Sequence, residues 1–211
     1  MAGGFGRRLA AVTGGGPKAL APFAGQTLLD HQLQRLRALA PERIVVLGHH
    51  RAAAVESVLA ERGEMLTEAH PMGTAGGLAR LPEGPDRWLV INVDHVSDID
   101  LQDFVGAFRR PALAAITDVP VVIDEGVVTE RDGRLTDWRE RPVLQFPVTT
   151  GLYVFCASAL RQHLSGAVVD MPDLVRSLMP DGVHTWRHEG VWFDVGTPER
   201  LAAAERWWTA R

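Results

Sequence analysis

Two short apolar runs constrain the fold more than any other feature of the chain: RIVVLG at 43–48 and WLVINVD at 88–94. The first is rich in β-branched residues and ends in Gly48; the second ends in the carboxylate of Asp94. Runs apolar at nearly every position read as strands buried on both faces, the situation of a parallel strand under helices. Helical patterns alternate with them. LLDHQLQRLRAL (28–39) repeats leucine at Leu29, Leu33, Leu36 and Leu39, AAAVESVLAER follows at 52–62, and DIDLQDFVGAFRR (98–110) places aspartates before Leu101 where they can cap a helix. The alternation predicts an α/β fold, Rossmann-like, with a mostly parallel sheet and helices on both faces.

The remainder of the chain has a different grammar. GVVTERDGRLTDW (126–138) carries Asp132-Gly133 between two short strand candidates, a hairpin signal. PVTTGLYVF is a further strand, MPDLVRSLMP a short helix, and VHTWRHEGVWFDVG an irregular strand pair. TPERLAAAERWW sets Thr197 as helix N-cap with Pro198 at the first helical position. No repeat or low-complexity linker separates the two parts, so 1–211 reads as one domain. Its nucleotide-binding half spans about 1–110 and a small β-rich acceptor half spans about 111–211.

Composition narrows the function classes. With 46% hydrophobic residues the chain can bury a sizeable core, and a net charge of -4 provides no basic field for an extended nucleic-acid surface. A single cysteine, Cys156, excludes an internal disulfide, and no run of 18 apolar residues suggests a membrane span. Glycines stand where a signal peptide needs an apolar stretch. These features predict a cytoplasmic protein, monomer or homodimer, without membrane or nucleic-acid partners. The eight histidines show no zinc spacing, and Trp207 and Trp208 read either as core anchors or as a dimer patch.

The first twenty residues, MAGGFGRRLAAVTGGGPKAL, concentrate glycine and basic residues. The dinucleotide fingerprint fails because position 9 is leucine where a third glycine is needed, and the P-loop fails because Lys18 lies between Pro17 and Ala19. A glycine turn with Arg7, Arg8 and Lys18 suits a phosphate, since glycine lets backbone N–H groups approach an anion that the cations then grip. A loose glycine-rich terminus is the competing reading.

The series of motifs resolves this choice. AGGFGRRLAAVTGGGPKALAP, AGQTLLDHQLQRL, EAHPMGTAGGL, WLVINVDHVSDIDL, WRERP, TTGLYVF and GVWFDVGTPERLAAA occur in order along the chain. Together they resemble the sugar-phosphate nucleotidyltransferases, whose pattern runs G-x-G-T-R-L, P-K-x-L-x-P, G-T-A-G, N-G-D, E-K-P, A-G-[IL]-Y-V-F and D-[IV]-G-T-P-E. The resemblance implies a glycosyltransferase-A-like nucleotidyltransferase domain. In that chemistry a sugar 1-phosphate oxygen attacks the α-phosphorus of a nucleoside triphosphate and pyrophosphate leaves. Positioning and charge neutralisation then matter more than a strong base.

The same resemblance implies roles residue by residue. Arg8 and Lys18 would be catalytic, on the leaving pyrophosphate and at the reacting phosphates. Gly3, Gly4, Gly6, Gly73, Thr74 and Gly76 would bind the nucleotide. Glu140, Arg141 and Gly151 would bind the sugar phosphate, and Asp94 and Asp194 would hold Mg2+, a hard ion suited to oxygen ligands. Without the resemblance each has an ordinary reading: Asp94 and Asp194 as turn residues, Arg8 and Lys18 as solvated charges, Glu140–Arg141 as an exposed pair.

Three departures stand out. An apolar strand usually precedes the first glycine, where this chain has Met1-Ala2, so a neighbouring strand is expected to be poorly paired and Met1 to be internal to a longer natural chain. Arg7 and Val93 replace the usual threonine and glycine, and Val93 is expected to narrow the space beside Asp94. Arg141 replaces the lysine of E-K-P, exchanging a point charge for a planar fork. The expected activity is transfer of a nucleoside monophosphate, GTP favoured, to a mannose- or heptose-like 1-phosphate. The alternatives are a uridylyltransferase on an amino-sugar 1-phosphate and a non-catalytic nucleotide- or sugar-phosphate-binding module.

Overall fold

The computed structural model describes residues 1, 7–49 and 51–211. After helix α1 (Ala10–Thr13) the chain forms β1 (Pro22–Phe23), β2 (Gln26–Thr27), α2 (Leu28–Arg37), β3 (Val45–Gly48), α3 (Ala52–Leu59), β4 (Glu64–Thr67) and β5 (Arg87–Ile91). It continues through β6 (His95–Ser97), α4 (Leu101–Gly106), β7 (Ala112–Val122), β8 (Val127–Arg131), β9 (Arg134–Arg139) and β10 (Val143–Cys156). It ends with α5 (Ala157–His163), α6 (Met171–Leu178), β11 (Val183–His188), β12 (Trp192–Asp194) and α7 (Pro198–Thr209).

Local chemistry sets the helix starts, and those of α4 and α7 fall where the sequence predicts. Thr27 and Asp30 form a reciprocal capping box on α2, Asp100 accepts from the amides of Gln102 and Asp103 to start α4, and Thr197 accepts from the Arg200 amide at the head of α7. The hairpin is also present: β8 and β9 pair antiparallel through Asp132 and Gly133, both at positive φ.

The sheet departs from expectation. A four-stranded sheet has the order β11-β7-β10-β5, and only β11 and β7 in it are parallel; β10 runs antiparallel to both of its neighbours. A second parallel pair, β3–β4, stands apart, and β6–β12 is a short antiparallel pair. The fold is therefore mixed α/β, not mostly parallel. An uninterrupted apolar run reports burial on both faces but not strand direction, so the apolar part of β10 reads like any parallel strand.

Helices do cover both faces of the four-stranded sheet, and side-chain alternation shows how. Trp88, Val90, Tyr153 and Phe155 pack with Leu160, Leu174 and Leu178 of α5 and α6. Ile91, Leu152 and Val154 point the other way, onto Leu101 and Phe104 of α4. A third cluster joins Leu28, Leu29 and Leu33 of α2 and Val55 of α3 to Val93, Val195 and Leu201.

Between β3 and the free edge of β5 lies a cavity of about 350 Å³, walled by apolar side chains that include Leu33, Leu36, Val45, Leu47 and Leu89. Among the described residues no strand pairs with these two edges. Met1 supplies the one rung at the mouth: its α-amino group donates to the Ile91 carbonyl at 2.7 Å and its carbonyl accepts from the Val93 amide at 3.1 Å. The poorly paired strand expected from the sequence is β5.

Candidate active site

The site begins where β5 ends. The chain turns through Asn92, Val93 and Asp94 into β6, whose three residues are all buried. In the antiparallel β6–β12 pair Asp194 stands opposite His95, and the Val195 amide donates to the Asp94 carbonyl at 3.0 Å. Backbone pairing thus brings the carboxylates of Asp94 and Asp194 side by side.

Lys18 meets them from a 3-10 turn over Lys18–Leu20, pinned by the fully buried Ala19 and Ala21. Its ammonium forms a short charge-assisted bond with Asp94 Oδ2 and lies 3.8 Å from Asp194 Oδ1. Arg200, in the first turn of α7, sits 3.5 Å from Asp194 Oδ2. Arg8 is exposed and lies against Gly196: a Cβ there would stand 3.3 Å from Arg8 Nη2 and 3.2 Å from Asp194 Oδ1. Burial, followed by the neighbouring Asp94 charge, pushes the Asp194 carboxyl above its usual range, with Lys18 and Arg200 opposing the shift.

The wall behind Asp94 is buried and hydrogen-bonded. His95 is buried, and its Nδ1 lies 2.9 Å from the Thr150 carbonyl, which can only accept. Nδ1 therefore donates, and Nε2 accepts the Ser97 hydroxyl proton at 2.7 Å. Burial holds this ring neutral, its pKa pushed down to about 3. The Trp192 indole donates to the same Thr150 carbonyl at 3.0 Å, tying β12 to β10. Val93 does not crowd the carboxylates as expected. Its side chain is buried in the cluster with Leu9, Val96 and Val195, so its bulk fills core.

The other expected residues are distributed around this centre. Gly3, Gly4 and Gly6 lie outside the described residues. Gly73, Thr74 and Gly76 form a loop after β4, tied to the segment before α6. Ala75 and Gly76 donate to the Val169 carbonyl at 2.9 and 3.0 Å, and Thr74 donates its amide to Asp170 at 2.8 Å. Glu140 and Arg141 lie on the exposed arm between β9 and β10. Glu140 accepts from the Trp138 indole at 2.9 Å and Arg141 donates to Asp124 at 2.6 Å. Gly151 sits in the register shift of β10 at φ +81, and a Cβ there would come within 2.6 Å of Asn92 Nδ2. The close approach at Gly151 is thus made by Asn92.

Two further residues enter the picture. Arg200 lies within the T-P-E-R sequence that identifies the start of α7, and its spacing from Thr197 marks its amide as capped without revealing that its guanidinium faces Asp194. Asp170 carries no local signal beyond its place before a helix.

The chain as a whole has relatives. A family model described as nucleotidyl transferase matches residues 1–210. The chain belongs to the nucleotidyl transferase family. A mannose-1-phosphate guanyltransferase of Gibberella zeae is 29% identical over 220 residues, covering 94% of this chain and 60% of that protein. A mannose-1-phosphate guanylyltransferase of Mycobacterium tuberculosis matches with the same identity and coverage. The chain thus spans about 60% of the length of these curated relatives.

Among solved structures, the fold is similar to that of a putative glucose-1-phosphate thymidylyltransferase from Bacillus anthracis. The TM-score is 0.77 at 21% identity, covering 98% of this chain and 92% of that one. It is also similar to HddC from Yersinia pseudotuberculosis complexed with GMP-PN, with a TM-score of 0.71 at 18% identity, covering 98% and 96%. No helix among the described residues is long and apolar enough to cross a membrane.

The donor set fits a divalent cation. Two carboxylates forced together against their mutual repulsion are what a hard ion compensates, and magnesium commonly takes one or two protein carboxylates and fills its remaining positions with water and phosphate oxygens. Among the described residues no cluster of three such ligands exists, so two carboxylates form the candidate set.

Proposed function

We propose that the chain transfers a nucleoside monophosphate from a nucleoside triphosphate, GTP favoured, to a mannose- or heptose-like sugar 1-phosphate, releasing pyrophosphate. The observation that carries this reading is the ammonium of Lys18 held between the carboxylates of Asp94 and Asp194 at the end of β5. Family membership supports the reaction class, and relatives named as mannose-1-phosphate guanylyltransferases support the choice of base and sugar.

In this reading Asp94 and Asp194 hold Mg2+, which when bound supplies charge neutralisation and Lewis-acid polarisation at the phosphates. Lys18, beside both carboxylates, orients the α-phosphorus for in-line attack with its ammonium. Arg8, which lies against Gly196 just beyond Asp194, takes charge developing on the departing pyrophosphate. No general base is needed, because the attacking phosphate oxygen is already anionic. Gly3, Gly4, Gly6, Gly73, Thr74 and Gly76 are assigned to the nucleotide, within the half spanning about 1–110. Gly151 serves the acceptor side indirectly, its missing Cβ leaving room for Asn92, and the arm bearing Glu140 and Arg141 contributes the rest.

Pyrophosphate release from purified protein, Mg2+, each of the common triphosphates and a panel of sugar 1-phosphates tests the reading. The expected result is turnover that is highest with GTP and a mannose- or heptose-type 1-phosphate. No release from any pair, together with nucleotide binding that is unchanged by Asp94→Ala, overturns it in favour of a non-catalytic binding module.

A further inference from the structure

Asp170 occupies the N-cap position of α6, yet its carboxylate caps no amide of that helix. It reaches instead across 96 positions of sequence to Thr74, accepting from the amide at 2.8 Å and from the hydroxyl at 3.1 Å. Thr74 returns the service: its hydroxyl oxygen accepts from the Met171 amide, the first of α6, at 2.7 Å. Each segment caps the other. Flanking bonds extend the seam, with the Val169 carbonyl accepting from Ala75 and Gly76 and the Val169 amide donating to the Met72 carbonyl at 2.9 Å.

The seam places the loop together with Ala75 and Leu78, which are buried in the core. Gly73 has φ +78, and a Cβ on it would stand 2.5 Å from the Val169 carbonyl oxygen and 3.0 Å from Asp170 Oδ1. A Cβ on Gly76 would come 2.8 Å from the Ala167 carbonyl. Both glycines are therefore required by the 167–170 segment, whatever else approaches them. That segment, itself largely exposed, leads directly into α6, whose Met171, Leu174 and Leu178 are buried in one cluster with Tyr153, Phe155 and Leu160. On the β4 side the side-chain tie is much weaker: the Met72 amide reaches Glu68 Oε2 only at 3.4 Å.

We propose that Asp170 is a positioning residue, which through Thr74 holds the Gly73–Gly76 loop in its nucleotide-receiving shape from the acceptor half of the chain. The consequence for nucleotide rests on the reading above that this loop faces the triphosphate substrate; the strut itself does not. Thr74 in this arrangement spends both its amide and its hydroxyl on the seam, so it acts by shaping the loop. Asp170 carries no role in the chemical step.

The test compares wild type, Asp170→Ala, Asp170→Asn, Thr74→Val and the Asp170→Ala/Thr74→Val double variant. The measurements are steady-state kinetics, direct nucleotide titration and amide hydrogen exchange. Asp170→Ala should speed exchange at 73–76 by about tenfold while exchange in β10 is unchanged, weaken nucleotide about tenfold, and leave kcat and the KM for sugar phosphate within about twofold, the pattern of lost uniform binding. Asp170→Asn, which keeps the acceptor oxygen, should recover most of both effects.

The double variant should be no weaker than the worse single variant, because both changes break the same seam. Exchange and nucleotide affinity within twofold of wild type in Asp170→Ala overturn the proposal. So do multiplicative losses in the double variant, which would mean that Thr74 touches the nucleotide independently. If wild type turns over no substrate pair and binds no nucleotide, the proposed function and the loop's link to nucleotide fall together. Unchanged exchange in Asp170→Ala is the result that removes the strut itself.

Discussion

Asp194 pairs with His95 across the two short strands β12 and β6, and this register sets its carboxylate beside that of Asp94. The two acids come from segments a hundred residues apart, and Lys18, from a third, sits against both. Lys18 and Arg200 thus supply the counter-charge to two adjacent carboxylates, and disturbing that balance has consequences that can be measured.

Lys18→Ala should lower kcat by about 10²–10³, the cost of removing one preorganised donor from a developing charge. It should also destabilise the metal-free protein, because two adjacent carboxylates lose their shared cation. Kinetics with and without excess Mg2+, alongside thermal melts in a chelator, check both.

Asp194→Asn should move stability the other way. A carboxyl whose pKa is raised in the folded state is one whose ionised form folding disfavours, so stability falls as pH rises from its unfolded value through its folded value. Above that window the neutral amide removes the penalty. Asn should thus raise the melting temperature at pH 7.5 in a chelator while abolishing Mg2+-dependent activity, and a lower melting temperature contradicts the account.

Acid should unfold the protein partly through His31. Its ring is 1% exposed, edge-on to Phe23 and Trp208 at 5.0 and 4.6 Å, and its Nε2 has no hydrogen-bond partner among the described residues. Burial, reinforced by the Arg35 charge, pushes its pKa down to about 4. The unfolded chain, titrating near 6.5, binds a proton that the folded protein refuses, so stability is complete above about pH 6.5 and falls from there toward pH 4. Between pH 7.5 and pH 5 this one group should cost about 2 kcal/mol by denaturant titration. His31→Leu should remove about that much of the pH dependence.

Gly151→Ala should destabilise by about 1–3 kcal/mol, combining a left-handed backbone with a Cβ pressed against Asn92. Asn92→Ala in the same background relieves the contact but not the backbone strain, so the double variant should recover only part of the loss in urea unfolding.

The sequence singles out the residues of the candidate site more readily than it does the course of the sheet. Lys18, Asp94 and Asp194 stand in motifs whose local patterns survive in one dimension, and the caps at Thr27, Asp100 and Thr197 depend only on neighbours within four residues. The direction of β10 does not, because alternation and apolarity are the same for a strand read either way. Nor does the Asp170–Thr74 seam: an aspartate before a helix signals its own cap, and here the cap is given to a residue in another loop. Gly151 shows a mixed case. The glycine is conspicuous in the sequence, while Asn92, which makes it necessary, emerges only from the register of β10 against β5.

The open wall beside β5 leaves a small mark on the heat capacity of unfolding. Leu36, Val45 and Leu89 line an apolar slot and stay partly hydrated in the folded state, so unfolding adds slightly less newly wetted hydrocarbon than chain length implies. Scanning calorimetry should give a ΔCp within the usual ~12–15 cal/mol/K per residue, toward its lower end.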